Sequence, residues 1–558
     1  MNKINHKVTR NTRNLCQRAN RTSAPRTQCN NHRVALHDAL SSPWEIHKID
    51  KLCLTSPSDM TKCVDIAVSN AGTGLNKVVV MSILPDVKHV VCLMLEKAVI
   101  RDSDWKLYLN AIQHKHLVYA NVLLGDSYEY DIFYKQLLSD VKIISDIVEA
   151  ISIARTSVQF GNLVLSYTEI WSATMFSLAC NQKLKKERSK KDSNCNELYA
   201  VVMDTRDVVV VNSTSPCVGR HNYDVDLSLS IENLEKWIVE HCDPAIIVAT
   251  SNSSKNLYGR TTRVVQSSDY ATTCDLMTTT LSRLFKSVHI TFWTTMDGIY
   301  SANPSRVKFA FPLVKLTFKE AKSLGHICND TDTNNLHFIT VCNIYKTSGH
   351  GTVIYDEQTT KYKDLLPLPG VEDEQTTVDM GSKYSSVSGM SVRDNITTVC
   401  VRRNQTSTYT MDQKGGRVCQ SELYIDVLSQ LHASDIRLEL VNGMFKEDCV
   451  TFAVSSDCTS DMILAALNAD INDSIESIWD VTIIPECSII TVAGYIDANI
   501  TECVIGAIKG YDVLAMSGGS RLRTTMPNYI AIVVNSDVAN YVLNAIHDAY
   551  YYEFVVKN

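Results

Sequence analysis

The chain has 558 residues, of which 45% are hydrophobic and 21% charged, and a formal net charge of −7. This length calls for more than one domain, and the acidic balance removes the electrostatic case for nucleic-acid binding. No apolar run is long enough to cross a bilayer: the longest, Val78 to Ile100, is broken by Pro85, Asp86, Lys88, His89, Glu96 and Lys97.

Residues 1–42 carry no acidic side chain before Asp38, and mix Arg10, Arg13, Arg18, Arg21, Arg26 and Arg33 with Asn, Thr and Ser. Such a leader reads as an organelle transit peptide, which would place the protein in a plastid; the alternative is a disordered basic tail on a cytoplasmic protein. The 18 cysteines include no Cys-x-x-Cys pair. They read as buried thiols in a reducing compartment, and no metal site is expected.

From Trp44 onward strand-like and helix-like stretches alternate. Strands are expected at Glu45–Ile49, Lys77–Ile83, Leu198–Met203 with Val208–Val211, Ala245–Thr250, His289–Trp293 and Phe338–Ile344. Helical spacing marks Ser58–Val68, Leu107–Asn121, Val141–Ala154, Ile231–Cys242 and Tyr270–Phe285. The alternation predicts an α/β domain over 43–355, a mainly parallel sheet covered by helices. The basic run Lys183–Lys191 is expected to be a solvated loop. Asp-Glu-Gln-Thr-Thr occurs at 356–360 and again at 373–377, with Pro367, Pro369 and Gly370 between them; residues 356–388 read as a polar linker.

The last third repeats itself. Val450-Thr-Phe-Ala-Val-Ser-Ser-Asp457 and Ile530-Ala-Ile-Val-Val-Asn-Ser-Asp537 each precede a helical run and follow a strand–helix–strand pattern. This predicts two βαββαβ modules, 389–484 and 485–558, each an antiparallel sheet with helices on one face.

Neither a P-loop nor a Gly-x-Gly-x-x-Gly fingerprint is present. In Phe292–Val307 an apolar strand runs into Asp297-Gly298 and Asn303-Pro304, both turn chemistry. Ligands of α/β sheets bind beyond the carboxyl ends of strands, so this corner is a candidate nucleotide site or an ordinary strand-to-loop turn. Three polar clusters read as strand ends: Lys48, Glu169 with Ser172, and Ser268-Asp269. A lysine there could neutralise phosphate oxygens, a carboxylate could hold an ammonium, and an aspartate could orient a lysine or a metal. The alternative for each is a capping or surface residue.

In chain order these stretches resemble the aspartate kinase family. Trp44-Glu-Ile-His-Lys48-Ile-Asp-Lys-Leu-Cys53 is similar to its opening Lys-Phe-Gly-Gly-Thr-Ser/Cys, and Tyr167-Thr-Glu169-Ile-Trp-Ser-Ala173 to Gly-x-Gly-Glu-x-Trp-Ser-Ala. Met203–Val208, Ile247–Thr250 and Ser268-Asp-Tyr270 follow in family order, then Trp293–Pro304, Leu316–Ala321 and Gly351–Ile354. The leader and the Trp44 and Met203 motifs look most like the plant bifunctional aspartokinase–homoserine dehydrogenases, and the sequence ends where their dehydrogenase part is expected to begin.

The resemblance implies an amino-acid-kinase fold followed by two ACT-type domains. It implies transfer of the ATP γ-phosphoryl group, with Mg²⁺, to the side-chain carboxylate of L-aspartate. It further implies a threonine or lysine effector and a homodimer formed through the ACT domains. Carried over by position, Lys48, Glu169 and Asp269 are catalytic, and Glu169 and Ser268 bind substrate. Thr294, Gly298, Tyr300 and Ser301 bind nucleotide, and Asn442 or Gly443 stands in the effector loop.

The sequence departs from the pattern at defined places. The glycine pair after Lys48 is Asp50-Lys51, followed by Leu52; Gly-His-Gly before Glu169 is Ser166-Tyr167-Thr168; and the arginine expected before Ser-Asp is Val265. The nucleotide-loop aspartate is Thr295, the arginine after Asn303-Pro304 is Ser305, and the Gly-Ala-x-Val-Leu-His-Pro segment is absent between Leu324 and Phe338. These departures keep open a second expectation, a pseudokinase that serves as a regulatory or structural subunit.

Overall fold

The structure is a computed structural model that describes residues 44–69, 76–157, 160–189, 198–212, 225–241, 244–263, 270–326, 336–347, 351–356, 387–403, 420–434, 436, 438–444, 449–456, 458–468, 479–494, 496, 498–518 and 529–556. The leader, nearly all of the expected linker, and Val265, Ser268 and Asp269 lie outside them. The described residues form two units: those up to Asp297 with those of 330–360, and those of 298–329 with those from 361 onward.

In chain order the elements begin with β1 (Trp44–Ile49), α1 (Pro57–Val68), β2 (Asn76–Met81), α2 (Val87–Val99), α3 (Trp105–Leu124), α4 (Tyr128–Ala154) and α5 (Gly161–Arg188). They continue with β3 (Ala200–Met203), β4 (Val210–Val211), α6 (Leu227–His241), β5 (Ile246–Thr250), β6 (Ser253–Asn256), β7 (Thr261–Arg263), α7 (Tyr270–Leu284) and β8 (His289–Thr294). β9 (Lys315–Thr317) and α8 (Phe318–Ser323) belong to the second unit; β10 (Phe338–Asn343) and β11 (Thr352–Tyr355) return to the first.

The main sheet of the first unit has the order β3-β5-β2-β1-β8-β10-β11. All neighbours are parallel except β10 and β11. Its central strands are continuous Val/Ile runs because both faces are covered: Val78, Val79, Val80, Ile246, Ile247 and Val248 are fully buried. On one face Ile49, Val79, Met81 and Val248 share a core with α1 to α5. On the other, α7 packs on β1, with Trp44 against Phe285 at 4.9 Å between ring centroids. A small sheet, β4-β6-β7, extends from the end of β5.

The longest helix of the first unit, α5, carries no amphipathic signal, because every residue from Val164 to Ser177 is buried. A helix covered on all sides has no polar face to generate the 3.6-residue period. Its hydroxyls turn back on their own helix: Ser166 donates to Leu163 O (2.7 Å) and Thr168 to Leu165 O (2.8 Å). The basic run expected as a loop extends α5 through Arg188, where cationic side chains suit the negative end of the helix dipole. Lys183 pairs with Asp65, and Lys185 with Glu129 at 2.8 Å.

The tail of the second unit contains β12 (Val387–Arg403), α9 (Gln420–Ala433), β13 (Leu438–Met444), β14 (Cys449–Ser455), α10 (Ser460–Asn468), β15 (Trp479–Gly494), α11 (Ala498–Ala507), β16 (Val513–Gly518), β17 (Tyr529–Asn535) and α12 (Ser536–Val556). Both repeats share one antiparallel sheet, ordered β13-β14-β12-β15-β17-β16. The long strands β12 and β15 pair from Val387↔Gly494 to Arg403↔Trp479. The second half of β12 also pairs with β14, and the second half of β15 with β17. The two repeats are therefore joined through the central pair β12 and β15, with β13 and β16 at the two edges of the sheet. The expected boundaries at 388/389 and 484/485 fall within β12 and β15.

Residues 298–326 pack against this tail. Arg306 forms an ion pair with Asp394, Ser388 donates to Glu320, and the hydroxyl of Thr317 caps α8 in a reciprocal capping box with Glu320.

One buried acid is a stability handle. Asp140 of α4 accepts a hydrogen bond from Trp171 Nε1 of α5 at 2.9 Å. Burial pushes its carboxyl from the ordinary value near 3.8 up to about 6, despite the Trp171 bond, which lowers it. A raised acid binds more protons folded than unfolded, so its contribution is favourable at low pH and is lost as pH rises from about 4 through 6. Asp140→Asn, which keeps an acceptor for Trp171, is expected to raise stability at pH 7.5 by up to about 3 kcal/mol and to flatten the pH dependence between 4 and 6 in urea titrations.

Candidate active site

The carboxyl ends of β1, β2, β3, β5, β8 and β10 lie along one edge of the main sheet, because those strands are parallel. Lys48 is the penultimate residue of β1, opposite Phe292 of β8. Its ammonium sits 4.8 Å from the centre of the Phe292 ring and is 6% exposed. Thr294 ends β8, and its carbonyl accepts from Ile344 N at 2.9 Å.

Glu169 is not at a strand end. It lies in the middle of α5 and is 1% exposed. Ser253, just past the carboxyl end of β5, donates from Oγ to Glu169 Oε2 at 2.8 Å, which brings the carboxylate to the same edge. Glu169 belongs to the helical layer that covers Ile49 and Met81. Lys48 alternates with Ile49 along β1 and projects to the opposite face, so the two charges reach the edge from opposite sides of the sheet. Ser172, one turn beyond Glu169, is fully buried and bonds back to Thr168 O at 3.1 Å.

Four further residues frame this edge. Arg206 forks onto Asp204, with Nε and Nη2 within 2.7–3.0 Å of the carboxylate oxygens, and donates from Nη1 to Ser166 Oγ at 2.7 Å. Burial opposes the charge on Asp204, but Arg206 beside it wins and holds the carboxyl below the ordinary range. Thr205 bonds to the Thr250 hydroxyl through both N–H (3.0 Å) and Oγ1 (2.6 Å), and its Oγ1 also reaches Ser253 O at 2.5 Å. Sequence reasoning assigned no role to Ser253 or Arg206. The available signal was the polar run Thr250-Ser-Asn-Ser-Ser254 directly after an apolar strand.

The loop after Lys48 is closed on itself. Asp50 N–H donates to Trp293 O at 3.0 Å, Leu52 N–H to Asp50 Oδ1 at 2.7 Å, and Cys53 N–H to Asp50 O at 3.0 Å. Trp293 is held in turn by His47, whose Nδ1 accepts from the indole N–H at 3.0 Å. Burial lowers the His47 pKa, and the hydrogen bond to Glu45 only partly offsets it. The ring is therefore neutral, as an acceptor must be. Beyond β8, Asp297 accepts from Asn343 and Lys346, each at 2.7 Å.

Of the residues singled out in sequence, Lys48, Glu169 and Thr294 thus meet at one sheet edge. Gly298, Tyr300 and Ser301 fall in the second unit. Gly298 has φ +125°, a conformation L side chains rarely adopt. Tyr300 bridges to Pro312, and the fully buried Ser301 bonds to His547 Nε2 and Phe311 N, each at 3.1 Å. Asn442 and Gly443 lie in β13, opposite Thr451 and Val450.

The fold has close counterparts among solved structures. Escherichia coli aspartokinase III in complex with aspartate and ADP aligns with 90% of this chain and 99% of its own, with a TM-score of 0.67 at 15% identity. The aspartate kinase of Clostridium acetobutylicum covers 91% and 99%, with a TM-score of 0.54 at 13% identity. The chain has the fold of the aspartate kinases. In sequence it is similar to bifunctional aspartokinase/homoserine dehydrogenase 1, chloroplastic, of Zea mays, at 28% identity over 338 residues, 58% of this chain and 33% of that protein. The carrot (Daucus carota) chloroplastic counterpart is 27% identical over 62% of this chain and 36% of its own. The matched stretch thus spans about a third of each curated relative. No family model matches the chain.

The Asp204–Arg206 pair is largely desolvated, with side chains 21% and 11% exposed. Removing one partner strands the other charge. Arg206→Met should cost about 3 kcal/mol of unfolding free energy in urea, and adding Asp204→Asn should recover part of it.

Proposed function

We propose that the protein transfers the γ-phosphoryl group of ATP to the side-chain carboxylate of L-aspartate. The carboxylate oxygen attacks Pγ, the bond from Pγ to the ADP oxygen breaks, and 4-phospho-L-aspartate and ADP leave. This is the first step towards lysine, threonine and methionine. The observation that carries the reading is a buried carboxylate, Glu169, fixed at the carboxyl edge of a parallel sheet where the Lys48 strand also ends. Glu169 holds the substrate ammonium, and Lys48 takes up charge developing on the transferring phosphoryl oxygens. By the resemblance, Ser268 and Asp269 would act on the substrate and Thr294 on the nucleotide.

Among the described residues no group of three or more His, Cys, Asp or Glu could hold a metal ion. Mg²⁺ would enter bound to the nucleotide phosphates, where it offsets their charge. The ACT-like tail would bind threonine or lysine near Asn442 and Gly443, which lie in β13 rather than in the loop expected from the resemblance, and would pair two copies of the chain. The plant relatives are named as chloroplastic, which supports a plastid location with residues 1–42 as transit peptide.

A second reading, a catalytically impaired regulatory subunit, is favoured by one feature. Three amides of the loop after Lys48, those of Asp50, Leu52 and Cys53, are already taken within the protein, that of Leu52 by the Asp50 carboxylate.

Coupled ADP release with L-aspartate and Mg-ATP separates the two. The enzyme reading expects turnover that Lys48→Ala reduces by at least about 10²-fold; no turnover and no calorimetric ATP binding would overturn it. Asp50→Gly removes the competing carboxylate and should tighten ATP binding roughly tenfold.

A further inference from the structure

We propose that Ser253 is a positioning residue for Glu169 and thereby sets affinity for the ammonium-bearing substrate. This inference rests on the assignment of Glu169 to that ammonium. A carboxylate that is 1% exposed has little water to orient it, so the direction of its oxygens follows from protein donors. Ser253 Oγ–H points at Oε2 from 2.8 Å and is itself 4% exposed. Its backbone is held in place, because its carbonyl accepts from Thr205 Oγ1, and Thr205 is bonded to Thr250 at the end of β5.

The helix end of the contact is fixed as well. Arg206 holds Ser166, one turn before Glu169, and is itself clamped by Asp204. Glu169 is thus gripped from two sides, by its carboxylate and by its helix turn, and both grips originate in the loops that follow β3 and β5. Neighbouring Asn252 Oδ1 and Ser254 Oγ are also buried and have no hydrogen-bond partner among the described residues. The run after β5 therefore contains more polar capacity than its own packing consumes, as a polar ligand subsite requires. The ligand class is a small amino acid with a free ammonium group.

The test is calorimetric binding of L-aspartate, and separately of Mg-ATP, to the full chain and to Ser253→Ala, Ser253→Thr and Glu169→Gln, with melting temperatures recorded. A hydrogen bond to a charged group corresponds to about 10- to 100-fold in affinity. Ser253→Ala should weaken L-aspartate by that factor and leave Mg-ATP within about twofold, with a fall in melting temperature because a buried carboxylate loses a donor, and Ser253→Thr should restore most of both losses. If Glu169→Gln abolishes aspartate binding while Ser253→Ala does not weaken it, the positioning role is wrong and the role of Glu169 stands. Equal weakening of both ligands by Ser253→Ala would also overturn it, as a purely structural effect. If the unaltered chain binds no aspartate, the Glu169 assignment fails and this inference falls with it.

Discussion

A carboxylate buried in the middle of a helix governs the organisation of the first unit. Glu169 cannot be moved to water without unwinding α5, and it cannot be left without donors. Ser253 is therefore tied to it across 84 positions of sequence. That bond requires β5 to end where it does, the small sheet to begin immediately after it, and the loop after β3 to fold back so that Thr205 can hold Ser253. The parallel order of the sheet then brings the end of β1, with Lys48, to the same edge. The site follows from the topology, and the topology is secured where the site is.

The other half of the edge has a different character. Around Glu169 the polar groups converge and some capacity is left over. Around Asp50 every loop amide given a partner here is satisfied within the protein, and Trp293, Asn343 and Lys346 tie down the ends of β8 and β10. The edge thus has spare polar capacity after β5 and satisfied amides in the loop after β1. The family resemblance and the local chemistry therefore weigh on different steps, substrate recognition and phosphoryl transfer.

Much of this was legible in the sequence, and the exceptions have physical causes. The parallel strands were visible as Val/Ile runs, and the tail repeat as two similar strand–helix signatures. Helix α5 was not visible, because burial on all sides erases helical periodicity, and Glu169 was accordingly misread as a strand end. α2 was also missed, although its buried residues Val87, Val91, Met94 and Ala98 recur at helical spacing, with His89, Cys92 and Glu96 exposed on the other side. The shared sheet of the tail was not legible either, since joining the repeats through the central strands β12 and β15 leaves each repeat's own pattern intact. Lys48 and Glu169 could be named from motif order alone. Ser253 and Arg206 could not, because their roles depend on contacts between segments far apart in the chain.

The central claim is that the Glu169 end of this edge recognises an ammonium group. Its most direct test compares binding of L-aspartate and succinate, which share both carboxylates and differ in the ammonium, to the unaltered protein by calorimetry at one pH and salt concentration. The account predicts that L-aspartate binds at least about tenfold more tightly than succinate. Equal affinity for the two, or preference for succinate, would contradict it.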